Sequence, residues 1–186
     1  MELNFIFIFS CIYFYFPVAM ANIGANLGKF IPIFKALKYP IDFGLSIKGS
    51  RVIGDHKNVG GFLFGILFGS LFGYLKTIYL DQIIPDQYVL FSIDQQTNIF
   101  LYIMMSTAAL MGDIIKSIFK RILNRPPHSP WIPFDEIDHS LASLIVASFI
   151  IPIDINSSLT IIIVFVFLHL LANILGYFLK IKKVPY

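Results

Sequence analysis

The chain has a single cysteine, Cys11, among its 186 residues, which excludes a disulfide framework and a thiolate metal cage. Charged residues are scarce as well, at 13% of the chain against roughly 25% in soluble domains. Apolar residues make up 57%, and phenylalanine alone accounts for 20 positions. These proportions indicate a polytopic membrane protein with room for about five spans of roughly 20 residues. We therefore expect one integral-membrane domain over residues 1–186, without a separate soluble domain.

Five apolar segments are predicted to form an all-α bundle of transmembrane helices. They cover approximately residues 5–21, 61–80, 98–115, 140–153 and 159–179. The fourth segment is short for a span, so we expect it to be tilted or buried among the others. A cleaved signal peptide is the alternative for the first segment. Its start carries Glu2 and no basic residue, which favours a retained span.

Basic residues are confined to alternate loops. Six lie in the loop at 22–60, four follow the third segment and three lie in the C-terminal tail, which together account for thirteen of the fourteen Lys and Arg. The other two loops carry Asp81, Asp86, Asp94 and Asp154 and no Lys or Arg. Because cytoplasmic loops are enriched in basic residues, we expect the N-terminus outside and the C-terminus in the cytoplasm.

Two stripes at four-residue spacing are expected to lie on helix faces. Small residues at this spacing let membrane helices pack closely, so the first stripe predicts a packing face. The polar second stripe, in the last segment, is expected to form hydrogen bonds between helices, with a role in lining a substrate site as the alternative. The stripes are Gly61, Gly65, Gly69 and Gly73, preceded by Gly60, and His169, Asn173 and Tyr177.

An acidic residue, Asp113, lies near the end of the third apolar segment, right after the apolar run 99–111. An ionisable group at membrane depth costs at least about 2.5–3.5 kcal/mol, so a functional role is expected. If the helix continues, Asp113, Lys116, Ser117 and Lys120 share one face, with Arg121 about 100° around it. Such a face offers a carboxylate to a divalent cation, and ammonium and guanidinium groups to phosphate. Snorkelling at the end of a span explains Lys120 and Arg121 but not Asp113.

A second acidic cluster, Asp135-Glu136-Ile137-Asp138, follows a proline-rich loop. Stabilisation of a helix start by its dipole is one explanation. Three carboxylates within four residues nevertheless repel one another unless a cation offsets them, and hard oxygen ligands suit Mg²⁺. Together with Asp113, residues Asp135 and Asp138 are therefore candidate ligands for one or two Mg²⁺ ions.

The basic loop at 22–60 offers a candidate phosphate site. A Gly54-Asp55-His56-Lys57 run leads into paired glycines, so backbone amides and Lys57 are able to cradle a phosphate. An ordinary polar turn explains the same residues equally well. A G-x-x-x-x-G-K-[ST] phosphate loop is absent from the sequence.

Taken in order, these pieces resemble the CDP-archaeol synthase family, which is related to the membrane phosphatidate cytidylyltransferases. The matching pieces are Ala21-Asn22 with Pro32, Pro40-Ile-Asp42-x-Gly44, Arg51-x-Ile-Gly54-Asp55-x-Lys57, Gly112-Asp113-x-x-Lys116-Ser-x-x-Lys120-Arg121, Phe134-Asp135-x-Ile-Asp138, and His169-x-x-x-Asn173-x-x-x-Tyr177 before Val184-Pro185-Tyr186. Order and spacing together make the resemblance specific.

The resemblance implies a multi-pass cell-membrane enzyme that transfers CMP from CTP to a membrane lipid phosphate and releases pyrophosphate, with Mg²⁺ as cofactor and its active site facing the cytoplasm. CTP, the lipid phosphate and the bilayer are then the partners, and nucleic acid is not. By resemblance, the metal ligands are Asp113, Asp135 and Asp138, which with Lys116 and Lys120 form the catalytic set. The implied nucleotide-binding residues are Asp42, Lys57, Lys116, Ser117, Lys120 and Arg121.

The chain departs from the family pattern in two places. Lys57 is followed by Asn58-Val59-Gly60-Gly61 where the pattern has Thr and then Arg-Gly, and Glu136 stands where Gln is frequent. These changes leave the acceptor open between an archaetidic-acid-like and a phosphatidate-like lipid. A transporter or channel that uses the carboxylates for ion coupling is the alternative of a different class. A CDP-alcohol phosphotransferase is disfavoured because its D-G-x-x-A-R motif is missing.

Overall fold

The computed structural model describes residues 4–47, 50–54, 57–125, 129 and 131–180. Parts of the predicted Gly54–Lys57 run, of the proline-rich loop and of the basic tail, namely 55–56, 126–128, 130 and 181–186, lie outside the described residues. The five long helices are α1 (Phe5–Leu27), α3 (Val59–Leu75), α4 (Gln95–Ile122), α5 (Phe134–Ser148) and α6 (Ile155–Phe178).

Short elements connect these helices at both ends of the bundle. Near the start of α3 two-residue strands β1 and β2 pair antiparallel, with Ser46 opposite Arg51. The short elements are a 3₁₀ turn (Gly28–Phe30), α2 (Pro32–Lys35), β1 (Ser46–Ile47), β2 (Ser50–Arg51), a π-helical turn (Lys76–Leu80) and a second 3₁₀ turn (Asp86–Tyr88).

The predicted all-α membrane fold is confirmed. In the described part of the chain, four helices are long and apolar enough to cross a membrane: Phe5–Phe30, Val59–Leu80, Gln95–Ile122 and Ile155–Phe178. The fourth predicted span, 140–153, differs from the helix in the structure. This helix, α5, begins at Phe134 and ends at Ser148. Its 15 residues extend about 22 Å at 1.5 Å per residue, which is less than a hydrocarbon core of about 30 Å.

Helix starts are fixed by side-chain caps. Asn4, Asn58, Asp94 and Asp154 each accept a hydrogen bond from a backbone amide of the turn that follows. Such caps satisfy amides that have no partner within the helix. By contrast, α5 has no side-chain cap and instead carries Asp135 and Glu136 in its first turn, where the helix dipole favours negative charge.

The hydrophobic core forms among α1, α4, α5 and α6. Tyr15, Leu101, Tyr102, Met105 and Ile161 are fully buried there. Large apolar side chains on the outer faces of the helices are between 37% and 85% exposed, as expected for surfaces that contact lipid. The first apolar segment is therefore part of the packed bundle.

The glycine stripe of α3 is a packing face, as predicted. Gly65 and Gly69 are buried against both α1 and α4: a Cβ at Gly65 would lie 2.7 Å from Leu110 Cδ1 and 2.8 Å from the Ala21 carbonyl oxygen. Gly61 is buried against Ala25 of α1, and Gly73 against Tyr102 of α4. Because glycine lets backbones approach closely, the stripe brings the first turn of α3 beside the last turns of α4.

A buried ion pair follows the C-terminal end of α3. Lys76, 4% exposed, lies 2.8 Å from Asp81 Oδ1, which also accepts a hydrogen bond from the Tyr13 hydroxyl at 2.7 Å. The Lys76 ammonium sits 4.3 Å from the centre of the Tyr13 ring. This end of the bundle therefore carries a compact, buried ion pair between Lys76 and Asp81.

Gly69→Val is expected to lower the thermal midpoint of the detergent-solubilised protein. A Cβ at this position would lie 2.4 Å from Ser106 Oγ and 2.7 Å from Ala21 Cβ, and overpacking of this kind costs about 1–3 kcal/mol. Leu67→Val is the matched control, because it places the same side chain on the same helix at a position that is 56% exposed. Equal midpoints for the two variants would show that the stripe is not a packing face.

Candidate active site

The last turns of α4 carry the predicted charged face. The helix continues through Ile122, so Asp113, Lys116, Ser117 and Lys120 do lie along one side. Ser117 Oγ donates to the Asp113 carbonyl oxygen at 2.9 Å. Lys57, immediately before α3, reaches this face: its ammonium lies 2.7 Å from Asp113 Oδ1 and donates to Ser117 Oγ at 2.7 Å. The structure therefore joins the basic loop to α4 through Lys57, and a nucleotide contact by Lys57 stays a prediction.

Lys116 lies among three carboxylates. Its ammonium is 3.2 Å from Asp113 Oδ1, 3.1 Å from Asp135 Oδ1 and 2.8 Å from Asp138 Oδ2. Asp113 comes from α4, whereas Asp135 and Asp138 come from one face of the first turns of α5. The three residues predicted as metal ligands are thus brought together, around a lysine ammonium.

Lys120 completes this charged cluster. Its ammonium lies 2.6 Å from Asp135 Oδ1 and donates to the Ser129 carbonyl oxygen at 3.0 Å. Burial alone would raise the pKa of Asp135, but the hydrogen bond from Lys120 and the charge of Lys116 lower that pKa below its ordinary value. Asp113, Asp135 and Asp138 are therefore matched by three ammonium groups, Lys57, Lys116 and Lys120.

Asp42 and Arg121 position the surrounding loops. Asp42, 4% exposed, pairs with Arg51 and accepts from the Ile53 amide at 3.0 Å. Burial opposes ionisation of Asp42, yet the Arg51 and backbone hydrogen bonds lower its pKa to about 2. Arg121 Nε donates to the Arg51 carbonyl oxygen at 3.0 Å, and Nη1 donates to the Arg125 carbonyl oxygen at 2.7 Å. A nucleotide contact by Asp42 or Arg121 stays a prediction. The structure shows that Asp42 links residues within the basic loop and that Arg121 joins this loop to α4.

The carboxylate cluster offers the oxygen ligands that suit a magnesium ion, but its side chains are not arranged as a metal site. Among the described residues, no three His, Cys, Asp or Glu side chains stand in metal-binding geometry, because Lys116 lies between the carboxylates. All three nevertheless place an oxygen within 3.2 Å of one point, the Lys116 ammonium. Carboxylate oxygens are the ligands that Mg²⁺ prefers, so the donor set suits the predicted ion once the ammonium moves away.

A polar cavity of about 190 Å³ opens beside this cluster, between α1, the basic loop, α3 and α4. Asn22, Asn26 and Asn58 line it together with Lys57 and Asp113. Asn26 is not predicted from the sequence, where its only signal is a polar amide one turn after Asn22 in an otherwise apolar helix. Asn58 also accepts from the Gly61 amide at 2.7 Å, so the residue that replaces the family's threonine caps α3.

The polar stripe of α6 meets the site through His169. Its ring packs edge-on against the His139 ring, with 6.0 Å between centroids, and His139 Nδ1 lies 3.2 Å from Asp138 Oδ1. Asn173, one turn further along, is 5% exposed. The ring contact joins α6 to α5, while hydrogen bonding between helices and a role in lining the substrate site both stay predictions. Glu136, the second departure from the family, is buried, and this burial raises its pKa.

Fold and site together define a polytopic, all-α membrane enzyme with a charged centre at one end of the bundle. The family model described as CarS-like, CDP-archaeol synthase, matches residues 3–186, and the chain belongs to this family. It is accordingly a CTP-dependent cytidylyltransferase that acts on a lipid phosphate and forms a CDP-lipid in lipid biosynthesis.

Relatives in archaea have similar sequences over most of their length. The CDP-archaeol synthase of Pyrobaculum islandicum is 31% identical over 172 residues, which cover 91% of this chain and 93% of that protein. The CDP-archaeol synthase of Pyrococcus furiosus is 32% identical over 148 residues, which cover 79% and 83%. A solved structure of an intramembrane enzyme for archaeal membrane lipid biosynthesis has a TM-score of 0.68, with 24% identity, and covers 88% of this chain and 92% of that one. This last likeness concerns the fold.

Asp42→Asn is expected to destabilise the folded protein by about 1–3 kcal/mol, because the buried partners of the carboxylate lose their acceptor. The folded pKa of Asp42 lies below its ordinary 3.8, so its charge stabilises the fold above pH 4 and this contribution is lost as the pH falls towards 2. The thermal midpoint of Asp42→Asn should lie below that of the wild type by a constant amount from pH 8 to pH 5. The two midpoints should converge below pH 4. The exposed Asp86→Asn is the control, and a difference that vanished at pH 6 would contradict the assignment.

Proposed function

We propose that this chain transfers CMP from CTP to an archaeol-type lipid phosphate and releases pyrophosphate, at the cytoplasmic face of the membrane. The observation that carries the proposal is the convergence of Asp113, Asp135 and Asp138 on Lys116, beside Lys57 and Lys120. The name shared by the relatives, CDP-archaeol synthase, favours an archaetidic-acid-like over a phosphatidate-like acceptor. The basic loops at this end of the bundle support the cytoplasmic orientation.

The polar cavity supports an approach of the nucleotide from the side of α1 and α3. Lys57 and Asp113 both line this cavity, and their charged groups are in contact. A triphosphate that enters there brings several negative charges to a cluster whose ammonium groups are paired with carboxylates. Lys57, Lys116 and Lys120 then turn to phosphate oxygens, because phosphate competes with carboxylate for the same ammonium groups.

Release of Lys116 leaves three carboxylates without their shared cation. We propose that Asp113, Asp135 and Asp138 then hold Mg²⁺. The ion, when bound, supplies neutralisation of charge on the phosphate oxygens. The ion would then replace the ammonium as the cation beside three carboxylates, which repel one another without one.

The transfer itself needs orientation and charge stabilisation. An oxygen of the lipid phosphate attacks the α-phosphorus of CTP, a new P–O bond forms, and the bond to the β-phosphate oxygen breaks to release pyrophosphate. Lys57, Lys116 and Lys120 stabilise the negative charge that develops on the departing pyrophosphate. No residue needs to form a covalent intermediate, because the lipid phosphate is itself the nucleophile.

Nothing in the described structure favours the transporter alternative. The charged cluster lies at one end of the bundle, whereas coupling sites of secondary transporters lie near the bilayer midplane between repeated halves. The sequence contains no such repeat.

The assay that tests the proposal supplies purified protein in mixed micelles with CTP, Mg²⁺ and either an archaetidic-acid-like or a phosphatidate-like lipid. We expect CDP-lipid and pyrophosphate in equal amounts, with the archaeal ether lipid as the better acceptor. Asp113→Asn should lower the rate at least about 100-fold, the order seen when one group that stabilises a transition state is lost.

The matched control is Asp154→Asn at the other end of the bundle. Asp154 caps α6, and asparagine caps helices about as well as aspartate, so this variant should keep wild-type activity. Failure of every lipid phosphate to yield CDP-lipid would refute the proposed reaction. A wild-type rate in Asp113→Asn would show that Asp113 is not part of the active site.

Binding of Mn²⁺, followed by its electron paramagnetic resonance signal, tests the metal proposal without relying on turnover. Asp135→Asn and Asp138→Asn should weaken binding because each removes one oxygen ligand. Lys116→Met should strengthen binding in the absence of CTP, because the competing ammonium is gone, and should abolish turnover.

The exposed Asp86→Asn is the control for this experiment and should bind Mn²⁺ as the wild type does. Weaker binding in Lys116→Met would contradict competition between the ammonium and the metal ion. Unchanged binding in both aspartate variants would place the ion elsewhere.

A further inference from the structure

The two carboxylates that α5 contributes to the charged cluster are each oriented by a second contact. Asp135 Oδ1 lies 3.1 Å from the Lys116 ammonium, while its Oδ2 accepts a hydrogen bond from the Trp131 backbone amide at 2.7 Å. Asp138 Oδ2 lies 2.8 Å from the same ammonium, while its Oδ1 lies 3.2 Å from Nδ1 of His139. One oxygen of each carboxylate therefore faces Lys116, and a backbone amide or a ring nitrogen contacts the other.

The contact between His139 and Asp138 defines which ring nitrogen carries a proton. An ionised carboxylate only accepts hydrogen bonds, so Nδ1 of His139 is protonated in this contact and donates to Asp138. A hydrogen bond of this kind fixes the orientation of a carboxylate that binds a metal ion. Loss of such an outer partner typically costs about 10–100-fold in metal affinity or activity.

Contacts from three helices hold His139 in place. The residue is 8% exposed, and the His169 ring of α6 packs edge-on against its ring at 6.0 Å between centroids. The Tyr15 hydroxyl of α1 donates to the His139 carbonyl oxygen at 3.2 Å, and Ser143 Oγ, one turn further along α5, donates to the same oxygen at 2.8 Å. The ring is thus held between α5 and α6, while its backbone is tied to α1.

Packing alone does not account for a histidine at this position. An apolar side chain would also fill the space between α5 and α6, whereas a buried polar ring is costly unless its nitrogens have hydrogen-bond partners. Asp138 supplies that partner for Nδ1. The imidazole in turn occupies the one oxygen of Asp138 that does not face Lys116.

We propose that His139 is a positioning residue for Asp138. It holds Oδ1 of the carboxylate, so that Oδ2 keeps facing the centre of the cluster when the Lys116 ammonium gives up this place to Mg²⁺. Without the Nδ1 donor the carboxylate rotates more freely, because the torsion about its terminal bond is broad and two-fold. This inference rests on the proposed function and adds to it a residue that acts through a ligand of the ion.

Two variants of nearly the same shape test the proposal. His139→Leu removes the hydrogen-bond donor, whereas His139→Asn keeps an N–H donor on an atom bonded to Cγ, as Nδ1 of the imidazole is. The control is Ser148→Ala on the same helix, because the exposed Ser148 hydroxyl donates to the Ile145 carbonyl oxygen of that helix. Binding of Mn²⁺ to each ligand-free protein is followed by electron paramagnetic resonance, and thermal midpoints show that each variant is folded.

His139→Leu should raise the Kd for Mn²⁺ at least about tenfold, and His139→Asn should recover most of this loss. In turnover assays, His139→Leu should raise the Mg²⁺ concentration that gives the half-maximal rate by a similar factor, with most of kcat retained at saturating Mg²⁺. Ser148→Ala should match the wild type. A role confined to packing predicts the opposite order, because leucine suits a buried apolar space better than asparagine does. A wild-type Kd in His139→Leu, or an equal loss in both His139 variants, would overturn the proposal.

Asp138→Asn, measured in the same way, separates this inference from the proposed function. Weaker Mn²⁺ binding in Asp138→Asn together with normal binding in His139→Leu refutes only the role of His139. Normal binding in both variants refutes the metal site and the positioning role together.

A second measurement uses the wild-type protein and does not depend on any variant. In an experimental structure with Mn²⁺ bound, Asp138 should coordinate the ion through Oδ2, and Oδ1 should stay within about 3.2 Å of His139 Nδ1, the range of a hydrogen bond. Coordination through both oxygens of Asp138, with the His139 ring turned away, would contradict the proposal.

Discussion

The ammonium of Lys116 holds together three carboxylates that would otherwise repel one another. Asp113 belongs to α4, whereas Asp135 and Asp138 belong to α5, so this ion cluster fixes the ends of the two helices against each other. Removing one member of a buried ion cluster is costly, because its partners are left without compensation. In the proposed mechanism, phosphate attracts the lysine and the carboxylates that it leaves bind a metal ion. The charged cluster thus serves both folding and the proposed chemistry.

Close packing places the remaining parts of the site around that cluster. Gly65 and Gly69 bring α1 and α4 against α3, so that Lys57, before α3, reaches Asp113. Gly112 does the same between α4 and α5 and leaves an apolar groove beside it. The polar cavity and the groove consequently lie on two sides of α4, with Lys116 between them.

The sequence predicts the fold well where periodicity and hydropathy report on it. It identifies the four long apolar helices, the packing face of α3 and the continuation of α4 through Asp113 and Lys120. It misplaces the start of α5, because hydropathy marks the apolar part of a helix whereas this one begins in its acidic first turn. The place of Lys116 among three carboxylates depends on how α5 is rotated against α4, which no local pattern reports. Likewise, Arg121 has the sequence context of a phosphate contact, but its backbone acceptors at Arg51 and Arg125 come from the folded loop.

The proposed mechanism depends on Lys116 exchanging its carboxylate partners for phosphate. The most direct test is an experimental structure of the protein determined without ligand and again with CTP and Mg²⁺. Without ligand, the Lys116 ammonium should lie within hydrogen-bond distance of Asp113, Asp135 and Asp138. With both ligands, it should contact a phosphate oxygen and lie beyond about 4 Å, the limit of an ion pair, from at least two of these carboxylates. A bound nucleotide with Lys116 still held by all three carboxylates would contradict the account.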